Sequence, residues 1–357
     1  ATGQPSVSLT FTTKAKTAVT RSENGIIMAV LFDDTVTDTT SYSYSYLSQV
    51  STDDWTTTNY KYLKLIFEGA PNKVLVYRAA TGDALSDVLA KLTTRTFDWL
   101  TVPGISDEEV TTAYDWIVAQ RATQKTYNAV LACSLNSVTA NSEGVVDFAS
   151  DNIVTSDGNT YTASEYCARI AGILAATALN RSATYTILTD VESFDESSDP
   201  DTDADDGKLI LLNDGEKIKL GRAVNSLHIL EDDQTDDMKK IKIIEAMDLI
   251  RDDITTTFTD SYVGVNNSHA NKLNFIAAVN AYFAQLESEG VLYDEYDNIA
   301  ELDVEAIKEY LTENSVDVSS LSDDEIAAYK TGSYLYATAD IQFSDAMEDL
   351  VFEIVMS

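Results

Sequence analysis

Residues 74–102 read VLVYRAATGDALSDVLAKLTTRTFDWLTV, and their rhythm decides the fold class. VLVYR (74–78) is a short continuous apolar run, the mark of a strand buried on both faces. Leu85, Val88, Leu89 and Leu92 then recur at helical spacing, and FDWLTV (97–102) is a second strand. The pattern continues downstream. Ser106 and Glu109 have the spacing of a capping box, ahead of a helix carrying Val110, Ala113, Tyr114 and Ile117 on one face. YNAVLAC (127–133) reads as a strand. Thr162 and Glu165 cap a helix striped by Cys167, Ile170, Ala171 and Leu174, and TYTIL (184–188) reads as another strand. Strands alternating with helices predict a parallel sheet covered on both faces.

Upstream, IIMAVLF (26–32) is a buried strand, and the Thr-, Ser- and Tyr-rich residues 35–58 read as a surface hairpin or loop. Downstream, residues 190–206 hold nine acidic residues and a proline, as expected of a solvated loop or domain boundary. Beyond it the style changes. KLILLND and EKIKLGRAVNSLHIL suggest strands around a turn at Asn213-Asp214-Gly215. Two long helices follow, one with Ile243, Met247, Ile250 and Ile254 in a stripe, the other with Phe275, Val279, Tyr282 and Leu286. A shorter helix is expected over 303–313, a capping box at Ser322 and Glu325, and strands near SYLYATADIQF and LVFEIVM. This half reads as α+β.

At 357 residues, the chain is longer than one core usually supports, so two or three domains are expected. A 44% hydrophobic content, with 19 Tyr and 11 Phe, excludes global disorder. A net charge of -35, from 24 basic and 59 acidic residues, argues against binding nucleic acid or an anionic membrane. No stretch approaches the roughly 18 apolar residues of a membrane span. The start ATGQPSVSLTF lacks the pattern of a secretory leader.

The residues offer little chemistry. His228 and His269 are the two histidines, and no GxSxG, GxGxxG or GxxxxGK[ST] accompanies them. The stretch from Asp201 to Gly207 has the look of a calcium loop. An EF-hand, however, needs Gly at the sixth position and Glu at the twelfth, where this chain has Asp206 and Leu212. A solvated acidic loop is the default. Cys133 and Cys167 sit among apolar residues and read as buried thiols; a disulfide between them is open but not suggested. No catalytic, cofactor or metal site is expected. Lys239, Lys240 and Lys242, with Lys217, Lys219 and Arg222, concentrate positive charge in 217–251. They either compensate local acids or meet an acidic partner surface.

The termini are the informative part. Val7, Leu9 and Phe11 share one face of a strand. Phe352, Ile354 and Met356 alternate with Val351, Glu353 and Val355, giving a strand apolar on both faces. Such a strand must be covered, either as an ordinary internal strand or by addition to a neighbour's sheet. The polar connector 12–25 has the composition to let the first strand reach away from its own body.

The order of PSVSLTFTTKAKTAV, YLKLIFEGAPNKVLVYRA, FDWLTVPG, EYCARIAGILAATALNRSATY, AVNSLHIL, KKIKIIEAMDLIRDDI and NKLNFIAAVNAYFAQLESEGVLYDE resembles the sheath proteins of contractile phage tails and R-type bacteriocins. The likeness is greatest to the short form of Gram-positive hosts. It implies an outer α/β domain with a subtilisin-like parallel sheet over 23–210 and an α+β inner assembly domain over 211–340. It also implies connecting arms at 1–22 and 341–357. Six-subunit rings would stack around an inner tail tube, with baseplate and tail terminator proteins as further partners. Such a sheath is a structural polymer, not an enzyme, belongs to a particle made in the host cytoplasm, and shortens and widens irreversibly to drive the tube through an envelope. By position, Val7, Leu9 and Phe11 would belong to one arm, and Val351, Phe352, Ile354 and Met356 to the other. Lys239, Lys240 and Lys242, at the start of the first long helix, would face the tube. A secreted acidic adhesin and a hydrolase are the competing readings.

Overall fold

A computed structural model describes Val19, Arg21 and residues 23–356 of the chain. Val7, Leu9 and Phe11 lie outside the described residues. The chain divides into two compact units, Ser22–Asp252 with Phe343–Ser357, and Ala1–Arg21 with Asp253–Gln342.

The larger unit runs β1 (Ile26–Phe32), β2 (Ser41–Tyr44), α1 (Thr57–Glu68), β3 (Lys73–Ala79), α2 (Leu85–Ala90), β4 (Trp99–Thr101), α3 (Asp107–Ala122), β5 (Asn128–Leu131) and β6 (Val145–Phe148). It continues with β7 (Ile153–Thr155), β8 (Thr160–Tyr161), α4 (Ala163–Ala176), β9 (Val191–Ser193), α5 (Pro200–Asp205), β10 (Lys208–Leu209), β11 (Leu211–Asn213) and β12 (Ile218–Leu220). Helix α6 (Ile241–Ser261) follows, and the division between the units falls within it.

Seven strands form one sheet in the order β10-β6-β5-β4-β1-β3-β2, parallel throughout except for the antiparallel edge strand β2. The βαβ reading of residues 74–102 therefore holds, and so does the burial of both faces. Alternate residues of β1 show why. Ile27, Ala29 and Leu31 enter the core beneath α1 and α4, while Ile26, Met28 and Val30 enter the one beneath α2 and α3. Helices α1 and α4 approach through glycine. A Cβ placed on Gly172 would lie 2.2 Å from the Ile66 carbonyl oxygen, so no larger residue fits without moving a helix.

Four expectations change. Helix α1 was not legible, because its start lies in a β-favouring run of Thr and Tyr. Burial of Tyr62, Leu63, Leu65 and Ile66 outweighs that propensity. TYTIL is not a sheet strand; it meets β12 through one bridge, Ile187 to Lys219, and β6 and β10 extend the main sheet instead. NSLHIL is irregular, with the His228 and Ile229 backbone N–H groups both donating to the Asn141 side chain at 2.9 Å. The calcium-like stretch is partly helical: Asp199 caps α5, and Asp203 pairs with Lys208 at 2.8 Å.

In the smaller unit, α7 (His269–Ser288), β13 (Ile299–Leu302), α8 (Val304–Glu313), α9 (Asp323–Ala327) and β14 (Ala337–Asp340) follow the end of α6. The stripe Phe275, Val279, Tyr282 and Leu286 is buried, as its spacing predicts. Strands β13 and β14 pair antiparallel, Ala300 opposite Ala339, as a two-stranded sheet.

Candidate assembly interface

The C-terminal segment is apolar and uncovered. From 344 to 356 it takes no regular secondary structure. Val351 is 99% exposed, Phe352 74%, Ile354 73% and Met356 91%. Six large apolar side chains between Leu350 and Met356 in water form a patch of the kind that marks an interaction surface.

Just before it, the chain is held to the larger unit by charge. Arg222 donates to Asp349 at 2.7 Å and lies 3.6 Å from Glu348. Thr184 donates its hydroxyl to Glu348 at 2.7 Å. Lys240 pairs with Asp237 at 2.9 Å and with Asp345, and Lys242 donates to the Ser344 carbonyl. The hydrogen bond to Asp349 raises the Arg222 guanidinium's pKa. Burial pulls Lys240 down, but Asp345 and Asp237 raise it overall; Lys242, more buried, is pulled down. Lys239 pairs with Asp236 at 2.8 Å. Of the three lysines expected on a partner surface, two are thus engaged by their own chain's C-terminal segment.

The two-stranded sheet offers one blunted and one open edge. The Asn280 carboxamide donates to the Ala300 carbonyl at 3.0 Å and accepts from its N–H at 2.7 Å, which caps β13. Those groups point away from β14, so in an antiparallel pair the opposing Ala339 groups point outward too. Strand β14 is exposed along its whole length. Among the described residues, no backbone hydrogen bond engages that outer edge.

Elsewhere the polar groups serve packing. At the amino-terminal edge of the main sheet, Trp99 donates to Glu245 at 2.9 Å and Arg121 grips Asp248 at 2.8 and 3.1 Å. Asp98, Glu245, Asp248 and Asp252 line a cavity of about 30 Å³, room for about one water molecule. Burial pushes Glu245 up to about 8 and Asp98 to about 6. At the opposite, carboxyl edge, where open α/β sheets take ligands, the Ser106–Glu109 and Thr162–Glu165 boxes already occupy the first turns of α3 and α4. His228 Nδ1 lies 3.0 Å from the Ser226 carbonyl, and His269 opens α7; neither imidazole meets a nucleophile in the hydrogen bonds among the described residues. No cluster of metal-ligating side chains is found among the described residues, and both cysteines are free and buried.

Comparison with known proteins agrees with this architecture. The family model of the phage tail sheath protein central domain matches residues 78–232, and that of the phage tail sheath C-terminal domain matches 233–357. The tail sheath protein of Clostridium phage phiCD119 is 30% identical over 370 residues, covering 99% of either chain. Among solved structures, the contracted helical sheath of the anti-feeding prophage superposes with a TM-score of 0.73 at 14% identity, covering 100% of both chains. A sheath tail protein of Desulfitobacterium hafniense superposes at 0.69 and 13% identity, over 84% of this chain and 94% of that one. At such identities the likeness bears on the fold.

Proposed function

The chain belongs to the phage tail sheath family, the sheath of contractile injection systems, and from that premise we propose that it polymerises by strand exchange as stacked six-subunit rings around an inner tail tube. The observation that carries this reading is the uncovered apolar segment from Leu350 to Met356. A side chain left in water forgoes about 1.5–3 kcal/mol of burial, and covering several of them offsets the ordering of an extended segment. The acceptor we assign is the outer edge of β14 in a second copy. An isolated two-stranded ribbon is marginal in water, and a third strand completes it.

In this reading the α/β unit is the outer, subtilisin-like body, and the unit around β13 and β14 is the assembly body. Val7, Leu9 and Phe11 belong to the second arm. Contraction is a change between two packings of rigid bodies, with shared sheets as joints. It needs no nucleotide and no catalytic step, so no enzymatic activity is assigned. Baseplate and terminator proteins cap the polymer. For the tube we retain Lys239, with Lys240 shared; Lys242 is too committed to Ser344. Interchain disulfide trapping tests the acceptor. Ala339→Cys and Ile354→Cys proteins, mixed and oxidised, should yield a crosslinked dimer. Its absence, with both proteins folded, would remove β14 as the acceptor.

A further inference from the structure

We propose that residues 344–349 form a releasable clasp on the α/β unit, closed in the free subunit and opened on contraction to lengthen the tether to the neighbour. This rests on the assignment of the C-terminal segment as an interchain arm. The clasp is defined but shallow. Its basic side is Arg222, Lys240 and Lys242; its other side is Asp345, Glu348, Asp349 and the Ser344 carbonyl. The Asp349 side chain is 73% exposed and Asp345 51%, so these pairs are solvated and individually weak. Met347, between the acidic sites, is 98% exposed and adds no apolar anchor, whereas Glu348 is better sheltered, its side chain 15% exposed and accepting from the Thr184 hydroxyl at 2.7 Å. Among the described residues, no backbone–backbone hydrogen bond joins 345–349 to the rest of the chain. The segment therefore detaches without unfolding any element.

The consequence is mechanical. With the clasp closed, the arm departs at Leu350. With it open, six more residues join the tether, adding about 20 Å of reach at full extension. A ring that widens must carry its subunits apart without parting their shared strands, and this slack supplies the distance. Part of the basic cluster thus holds an acidic strap, through Arg222, Lys240 and Lys242, while Lys219 and Lys239 pair with the local Asp214 and Asp236.

Two measurements test it. The native cysteines are buried, so spin labels go to introduced ones. Labels at Val351→Cys and Glu216→Cys should give one narrow distance distribution in the free subunit. Arg222→Glu with Lys240→Glu should at least double its width, and adding Asp349→Arg with Asp345→Lys should restore it. Equal widths in all three proteins would overturn the clasp. The second measurement joins Arg222→Cys to Asp349→Cys with a cleavable bismaleimide. The linked protein should form no tubes of contracted width until the linker is cut, and unlinked protein should form them directly. Tubes of the same width from linked protein would overturn release. If unlinked and wild-type protein both form no tubes, the assembly reading fails, and the clasp stands or falls on the distance distributions alone.

Discussion

One guanidinium nitrogen of Arg222 donates to both carboxylate oxygens of Asp349, at 2.7 and 2.9 Å, and the next residue, Leu350, is 85% exposed. The pair marks where the chain stops being part of its own body. Acidic side chains just before it pair with the body of the chain, and the residues from Leu350 to Met356, Glu353 apart, are apolar and exposed.

The open edge of β14 depends on outward backbone groups at Ala339. Proline there removes the N–H without touching the pairing to β13. Ala339→Pro should leave the melting temperature of the subunit within a few degrees of wild type and abolish polymerisation, read by sedimentation velocity. Wild-type polymers from this variant would place the acceptor elsewhere.

The α1–α4 contact is a close approach of two helix backbones. Gly172→Ala puts a methyl group against the Ile66 carbonyl oxygen. Overpacking of this kind costs about 1–3 kcal/mol, so the urea midpoint should fall with the slope unchanged. An unaltered midpoint would show that the helices separate freely.

Glu245 gives the larger unit a pH signature. Its folded pKa, pushed by burial to about 8, lies above its unfolded value near 4.5. The folded state keeps a proton that the unfolded chain releases, so the contribution is fully present below pH 4.5 and is lost as pH rises through 8. The slope from this group approaches about 1.4 kcal/mol per pH unit between those limits. Arg121, Asp98, Asp248 and Asp252 stand around the same cavity or its edge, and Asp98 adds a loss near pH 6. Glu245→Gln keeps an acceptor for Trp99 and removes the proton. Its stability should fall less between pH 5 and 8, and parallel pH profiles would contradict the assignment.

Cys133 and Cys167 are both free and buried, and burial raises both thiols above the range in which thiolates form at neutral pH. Neither should react with iodoacetamide in the folded protein over hours, and both should react promptly in urea. Fast labelling of either in the native state would mean that the sheet opens locally.

The legibility of this fold followed its periodicity. The strand–helix–strand run of residues 74–102, the boxes at Ser106, Thr162 and Ser322 and the long stripes of α6 and α7 were all readable, because cap chemistry and spacing are local. What failed was decided by distant neighbours. Helix α1 starts in Thr- and Tyr-rich sequence and is fixed by burial against α4. TYTIL has strand composition, but its place in the main sheet belongs to β6 and β10. The apolar alternation at 351–356 marked a segment in need of cover. Lys240 and Lys242 gave no local sign that their partners lay about a hundred residues away in the same chain.

The most direct test of strand exchange is negative-stain electron microscopy of the purified chain beside a truncation lacking 351–357, each with and without the inner tube protein. The account predicts hollow striated tubes of regular width from the full chain. From the truncation it predicts folded, dispersed subunits with unchanged thermal stability, even with tube protein present. Ordered tubes from the truncation would contradict the central claim, because the sheath would then be held together without the C-terminal arm.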